Sequence, residues 1–402
     1  MTHVIVVGAG PVGLVSALAL AERKVNVTIL ETATAISQDL RASTFHPPTL
    51  DMLDKYGLTD GLLAAGLISP TWQIRMHSTG DNALFDLSLI ADVTAHPYRL
   101  QCEQAVLCDL IAKRLENHPF VDFRLGTTFT GAHQTNHDVE VSATHHTNGT
   151  LRPMRANFVI GADGAGSRVR ESIGLDFDGE TYPETTVLAS TTFAFEDHIK
   201  GLSNVNYCWS ETGNFALLRL KHLWRCSLYF DPELTFEESV EPSRIQGQLS
   251  EIYPASQPFD IVDCRPYRVH QRIVPSYQAG RVFLAGDAAH INSPSGGMGM
   301  NGGIHDALSL TYKMGQVFEG IDHAALEDYT AERLPVAKHA IAAQADRNRK
   351  RMTQKNPLAR QRALETLQAT AADPTRAREY LLRSSMIDGL SDAKHIWEPR
   401  LC

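Results

Sequence analysis

The chain is sparing with cysteine, with positive charge and with long apolar runs. Its six cysteines, at 102, 108, 208, 226, 264 and 402, form no C-x-x-C pair, so neither a zinc cage nor a thioredoxin-type site has a basis. Six in 402 residues is also too thin a density for a disulfide framework; free thiols in a reducing cytoplasm are expected. Lys and Arg total 37 against 46 Asp and Glu, a formal balance of −9. Phosphate neutralisation needs a basic face, so a nucleic-acid partner is not expected. No window reaches about 18 uninterrupted apolar residues, which argues against a membrane span. The apolar N-terminal stretch has no Lys or Arg before it and is broken by Gly8, Gly10, Pro11 and Gly13, so it is not expected to be a secretion signal.

What remains is an ordinary globular composition with a recognisable order of elements. HVIVV (3–7) reads as a buried strand, Pro11 to about Arg23 as a helix, and VNVTIL (25–30) as a second strand ending at Glu31. This βαβ unit implies a parallel sheet covered by helices. Helical periodicity returns near 47–65 and 102–116, and 137–155 reads as a hairpin turning at Asn148-Gly149. ANFVIG (156–161) is a further buried strand. Short β-rich runs from about 181 to 268 predict a mainly antiparallel sheet. RVFLAG (281–286) leads into a glycine-rich loop and a helix to about 318, and 324–402 reads as mostly helical.

Three strand ends carry unusual glycine patterns. GAGPVG (8–13) has the spacing in which glycines permit a tight turn, a close backbone approach to a pyrophosphate, and close helix–strand packing. The helix N-terminus adds amides and a positive dipole end, and Glu31 is placed to accept from ribose hydroxyls. ADGAGSRVR (162–170) repeats the strand–turn–helix context; taken alone, Asp163 and Ser167 read as helix caps. In GRVFLAGDAAH (280–290), Asp287 sits where a strand ends and could bind a polyol. Four of the seven residues 297–303 are glycine, a loop that bares amides where a helix begins.

These three motifs, in this order and spacing, resemble the single-component flavoprotein aromatic monooxygenases, the para-hydroxybenzoate hydroxylase-like family. RASTFHPPTLDML (41–53) resembles its phenol and phenylpropionate hydroxylase branch. The resemblance covers about residues 1–340. It implies an α/β fold: a doubly wound, Rossmann-like FAD-binding domain, an inserted mainly antiparallel substrate-binding β domain, and a helical C-terminal segment. The expected division is 1–70, 98–180 and 267–340 for FAD, 71–97 and 181–266 for substrate, and 341–402 for the helical segment. Carried over by residue, Gly8, Gly10, Pro11, Val12 and Gly13 would meet the FAD pyrophosphate and Glu31 the adenosine ribose. Arg41 would lie near the FAD. Gln104, with Gln101 as a rival, would meet the ribityl or phosphate region. Asp163 would belong to the motif linked to FAD and NAD(P)H, and Asp287 would bond the ribityl chain. Pro294 and the amides of Gly297, Met298, Gly299, Met300 and Asn301 would line the isoalloxazine.

The implied activity is hydroxylation of a small phenolic or hydroxy-heteroaromatic compound. In that family NADH or NADPH reduces FAD, and reduced flavin captures dioxygen as a hydroperoxide that delivers one oxygen to the ring. A dry pocket keeps that species productive. His46, Tyr207, Arg219 and Pro294 are candidates for catalytic roles, with Tyr229 and His270 as further hydrogen-bonding groups. The basic run Arg347, Arg349, Lys350, Arg351 and Lys355 reads as a solvated helix face. His133, His137, His145 and His146 flank a strand pattern, so metal geometry is not expected. The partners are then an aromatic substrate, dioxygen and NAD(P)H, without nucleic acid or membrane, in a cytoplasmic monomer or homodimer. The alternatives are an FAD reductase or epoxidase acting on a non-aromatic compound, and a non-catalytic FAD-bound redox sensor.

Overall fold

The computed structural model describes residues 2–38, 41–211, 213–230 and 233–399. A six-stranded sheet runs in the order Gln278–Ala279, Val282–Leu284, Phe158–Gly161, His3–Val7, Asn26–Leu30, Val121–Arg124. All its neighbours are parallel except the short hairpin partner Gln278–Ala279. His3–Val7 and Asn26–Leu30 are buried along their length beyond the first residue, which is why they read as apolar runs and not as alternating ones. The helix Pro11–Glu22 covers this sheet between Gly299–Phe318 and Gln104–Leu115. The register aligns Val7 with Gly161, and Gly161 with Leu284. All three glycine motifs therefore leave three adjacent strands at one level, the carboxyl edge where open α/β sheets bind ligands.

An eight-stranded sheet is ordered His290–Ile291, Ile261–Ile273, Asp178–Thr191, Trp224–Phe230, Asn214–Arg219, Val205–Trp209, Thr71–Met76, Asn82–Asp86. It is antiparallel except where Val205–Trp209 runs parallel to Thr71–Met76. Its own core gathers Val187, Leu217, Trp224 and Leu228 under Ile245 and Leu249 of the helix Pro242–Ile252. That helix lies inside the span read as β-rich. The periodic stretch 47–65 is two helices, Pro47–Asp54 and Thr59–Ala65, parted near Gly57, whose φ is +64°. The hairpin around Gly149 is present, and Thr127–Gln134 adds a strand to it that alternation alone did not reveal.

From residue 324 to Ser384 the chain is mostly helical, as its pattern predicts, and 385–399 are turns around the short 3₁₀ element Asp388–Leu390. Pro335 lacks an amide to continue the ladder, and a π-helical stretch, Val336–Ala342, follows it before Ala343–Met352. Pro357–Ala372 and Pro374–Ser384 then pack as a pair, the latter beside the short 3₁₀ turn Leu87–Ile90.

Candidate active site

The first two glycine loops are pressed together. Gly8 has φ +103°, and a Cβ there would lie 2.4 Å from the Ala162 carbonyl oxygen. A Cβ on Gly13 would lie 1.9 Å from the Gly8 oxygen. At Gly10 a Cβ would meet nothing within 4 Å, so this glycine borders open space. The helix that follows starts at Pro11 with no side-chain cap, and its first-turn amides lack intrahelical acceptors. Tight packing at Gly8 and Gly13 with an open amide cradle at Gly10 is the arrangement a pyrophosphate needs. The half-buried Glu31 carboxylate accepts from the Ala9 amide at 2.7 Å and the Ala33 amide at 2.8 Å, so it also ties the second strand to the first loop.

At the second loop the capping reading describes what the residues do. Asp163 accepts from the Ser167 hydroxyl and, at 3.2 Å, from the Val169 amide. Burial raises its carboxyl above the usual range, and these bonds oppose that. Arg170 donates to the carbonyls of Ala165 (2.8 Å) and Ala288 (3.0 Å), joining this loop to the third.

Asp287 stands apart from its neighbours. It is exposed, while Val282–Gly286 and Ala288–His290 are buried. No hydrogen bond from the described residues reaches its carboxylate. It lies in a recess crowded by protein, and that desolvation raises its pKa; the nearby charges of His290 and Arg41 oppose the shift. Arg41 is thus brought close to Asp287 from the far end of the chain. Behind the loop, the fully buried Asp306 accepts from the Gly286 amide (3.2 Å), His290 Nε2 (2.8 Å) and Arg333 Nε (2.8 Å), which fixes the turn that presents Asp287. Gly286 and Gly303 bring loop and helix together: a Cβ on Gly303 would sit 2.6 Å from Val12 Cγ2.

The glycine-rich loop is held by Asn301. Its side chain donates to the carbonyls of Thr44 (2.8 Å) and Gly297 (2.7 Å) and accepts from the His46 amide (2.9 Å). Positive φ falls at Gly296 (+106°) and Gly297 (+67°). Gly299 opens the helix without a positive φ, and its Cβ would meet only Asn292 Oδ1 at 3.6 Å. The helix start at Gly299 has no side-chain cap, so its first amides, with Met300 and Asn301, remain available. Met298 is buried against Ile341 and Met386.

Two of the four candidates for catalytic roles, His46 and Arg219, are not wall residues of the two clefts described below. His46 is fully buried, and its Nε2 is bonded to the Gly296 carbonyl at 2.8 Å. Burial, and then the charge of Arg99, push its pKa down to about 3, so it is held neutral as it clasps the loop. Arg219, half-buried, pairs with Glu196 and is in the wall of neither cleft. Gln101 is buried and bonded to Thr44, whereas Gln104 is half-buried at the start of its helix, so geometry favours Gln104 for a cofactor contact. His270 is engaged by Thr181.

Tyr207 and Pro294 do face empty space. One cleft is bounded by Trp72, Arg99, Tyr207, Gly296, Arg351 and Tyr380, among others. A second is bounded by Thr186, Tyr229, Tyr267, Pro294, Ser295 and Arg349. Met352 belongs to both walls, and so does the loop 293–298. The basic run is therefore not a solvated face throughout: Arg349 and Arg351 are wall residues, and Arg349 lies 3.7 Å over the Tyr182 ring. Sequence reasoning missed Trp72, Arg99, Tyr267 and Tyr380. No local pattern links these distant positions; Trp72 stacks on Phe85 at 4.7 Å and on Tyr380 at 5.9 Å.

Comparison with known proteins agrees with this geometry. The family described as FAD binding domain matches residues 1–344. The chain is 32% identical over 392 residues to para-nitrophenol 4-monooxygenase of a Pseudomonas species, covering 96% of each. It is 32% identical over 357 residues to 6-hydroxy-3-succinoylpyridine 3-monooxygenase HspB of Pseudomonas putida, covering 88% of this chain and 90% of that one. The crystal structure of p-nitrophenol 4-monooxygenase PnpA from Pseudomonas putida superposes with a TM-score of 0.90 at 31% identity, covering 97% and 99% of the two chains. The chain belongs to the FAD-dependent aromatic monooxygenases. It is an enzyme that uses FAD and NAD(P)H to hydroxylate an aromatic compound. No described helix is long and apolar enough to cross a membrane.

Proposed function

We propose that this monooxygenase hydroxylates a small phenolic or hydroxy-heteroaromatic substrate in the paired cavities beside Met352. The observation that carries this reading is shared structure: the loop 293–298, which follows Asp287 and leads into the amide-bearing helix start, also walls both cavities. Gly8, Gly10, Pro11, Val12 and Gly13 would cradle the pyrophosphate, Glu31 the ribose, Gln104 and Arg41 the middle of the cofactor, and Asp287 the ribityl hydroxyls. Pro294 and the backbone of Gly297–Asn301 would border the flavin ring. FAD, when bound, supplies the two-electron exchange with NAD(P)H and the activation of dioxygen.

The chain's own groups then have distinct tasks. Helix-start amides at Gly299–Asn301 favour negative charge on the ring edge they face. Trp72, Tyr207 and Tyr380 form an aromatic wall that excludes water. Tyr267, whose hydroxyl burial holds well above its ordinary pKa, stays protonated and can donate to a substrate oxygen beside Tyr229. Asp163 acts through the loop it caps. The division into FAD, substrate and C-terminal parts given above is the one we propose. A reducing cytoplasm suits the five described thiols, all free and four of them buried. The assembly we propose is a monomer or homodimer.

The test is a screen of phenols, hydroxybenzoates, phenylpropionates and hydroxypyridines with the FAD-loaded enzyme. At least one class should accelerate NAD(P)H oxidation and yield a product with one added oxygen. If none stimulates oxidation beyond the basal rate, the substrate assignment is wrong.

A further inference from the structure

Arg99 is a buried cation that the protein does not use. Its residue is 2% exposed, and its Nε and Nη1 have no hydrogen-bond partner. No carboxylate among the described residues pairs with it, and its guanidinium rests face-on against Trp72 at 4.7 Å. A buried charge without a partner is costly, and a cation–π contact offsets only part of that cost. The guanidinium borders the cleft lined by Trp72, Tyr207 and Tyr380, whose wall holds Arg351 as a second cation and no Asp or Glu. Arg351 is already engaged, donating to the Tyr380 hydroxyl at 3.2 Å. His46, whose titration the charge of Arg99 affects, is held neutral and supplies no counter-charge.

We infer that Arg99 is a specificity-determining residue that receives a planar two-oxygen anion, a carboxylate or its equivalent, on the substrate's ring or side chain. This rests on the cavity being the substrate site. A guanidinium presents parallel N–H donors that match two oxygens at once, whereas an ammonium offers only a point charge. Its position beside Gly296 and Met298 would put the anion at the cavity wall next to the glycine loop. The aromatic faces of Trp72, Tyr207 and Tyr380 would hold the ring.

The experiment pairs hydroxyaryl carboxylates, 4-hydroxybenzoate and 3-(4-hydroxyphenyl)propionate, with their primary amides. Binding to the FAD-loaded enzyme is read from the flavin absorbance change, and stimulated NAD(P)H oxidation is read alongside. The parent should bind at least one carboxylate about 10- to 100-fold more tightly than its amide. Arg99→Met should erase that gap while leaving amide binding and FAD content unchanged, and Arg99→Lys should restore part of it. A parent enzyme without the preference overturns the assignment, and this arm needs no variant to fold. A gap that persists in Arg99→Met overturns it too, as does loss of FAD from that variant, which would put the cation on the cofactor. If neutral phenols are hydroxylated as well as carboxylates, the hydroxylase reading stands and only the Arg99 role falls. If no aromatic stimulates oxidation, the substrate reading itself fails.

Discussion

Replacing Asp287 by alanine separates two effects of opposite sign. In the protein without FAD the carboxylate receives no hydrogen bond from the described residues and sits in a crowded recess that raises its pKa. A carboxyl whose folded pKa lies above its unfolded one weakens folding once it is ionised. That penalty is present at pH 7 and disappears as the pH falls below the ordinary carboxylate value. Removing the group therefore costs the FAD-free protein no stability. Cofactor binding behaves the other way. A hydrogen bond to a charged group contributes ~1.5–3 kcal/mol, so losing the ribityl contact should raise the FAD dissociation constant by ~10- to 150-fold. Asp287→Asn keeps an acceptor and should fall between parent and alanine. Fluorescence titration of FAD-stripped protein gives the constant, and thermal unfolding of the same sample gives the stability. A lower unfolding midpoint with an unchanged dissociation constant would make Asp287 a structural residue and refute the reasoning.

Glu31→Ala should behave differently, because its carboxylate already holds the Ala9 and Ala33 amides. FAD affinity and FAD-free stability should both fall, the latter by ~1–3 kcal/mol in urea unfolding; unchanged stability would contradict those bonds. Gly297→Ala places a Cβ at φ +67° and 2.9 Å from Thr44 Cβ, so the loop must shift. It should retain FAD yet form less product per NAD(P)H, with the balance appearing as hydrogen peroxide; equal coupling would remove the loop from the oxygen site. Gly299→Ala meets no backbone strain, its Cβ reaching only Asn292 Oδ1 at 3.6 Å, so it should uncouple less than Gly297→Ala in the same assay. His46 and His305 are both held at about 3 by burial, while the unfolded chain titrates near 6.5. Folding stability should therefore drop as the pH falls from 6.5 towards 3, by about 2 kcal/mol per histidine at pH 5. Urea midpoints at pH 7.5 and 5 check this, and His305→Gln should flatten the dependence.

The four central strands of the parallel sheet were legible because they are apolar and buried, and three of them end in glycine motifs; the half-buried edge strands Val121–Arg124 and Gln278–Ala279 gave no such signal. At Gly8 and Gly13 even the reason for glycine could be anticipated, since a βαβ turn with a helix packed this closely leaves no room for Cβ. The substrate side was not legible. Trp72 and Tyr380 meet only through packing between a strand and a late helix, and no local pattern encodes that meeting. His46 looked chemical by residue type, and only burial shows it to be a clasp. Arg351 looked like a surface charge because the charges around it are exposed. The π-helical stretch after Pro335 lies between the pattern and the face it finally presents.

The cavity's makeup has a consequence for how the enzyme comes into being. Its wall joins Trp72 to Ser384, residues near opposite ends of the chain. Contacts between such distant segments carry the largest loop-closure cost, so they form after the local ones. The amide cradle and Glu31, by contrast, are encoded within the first few dozen residues. A chain folded only through its parallel sheet already has a place for the adenosine end of FAD and no enclosure for an aromatic ring. The helix Pro374–Ser384 completes that wall with Tyr380 and Ser384, so a nick within it should leave FAD bound while lowering product formed per NAD(P)H consumed.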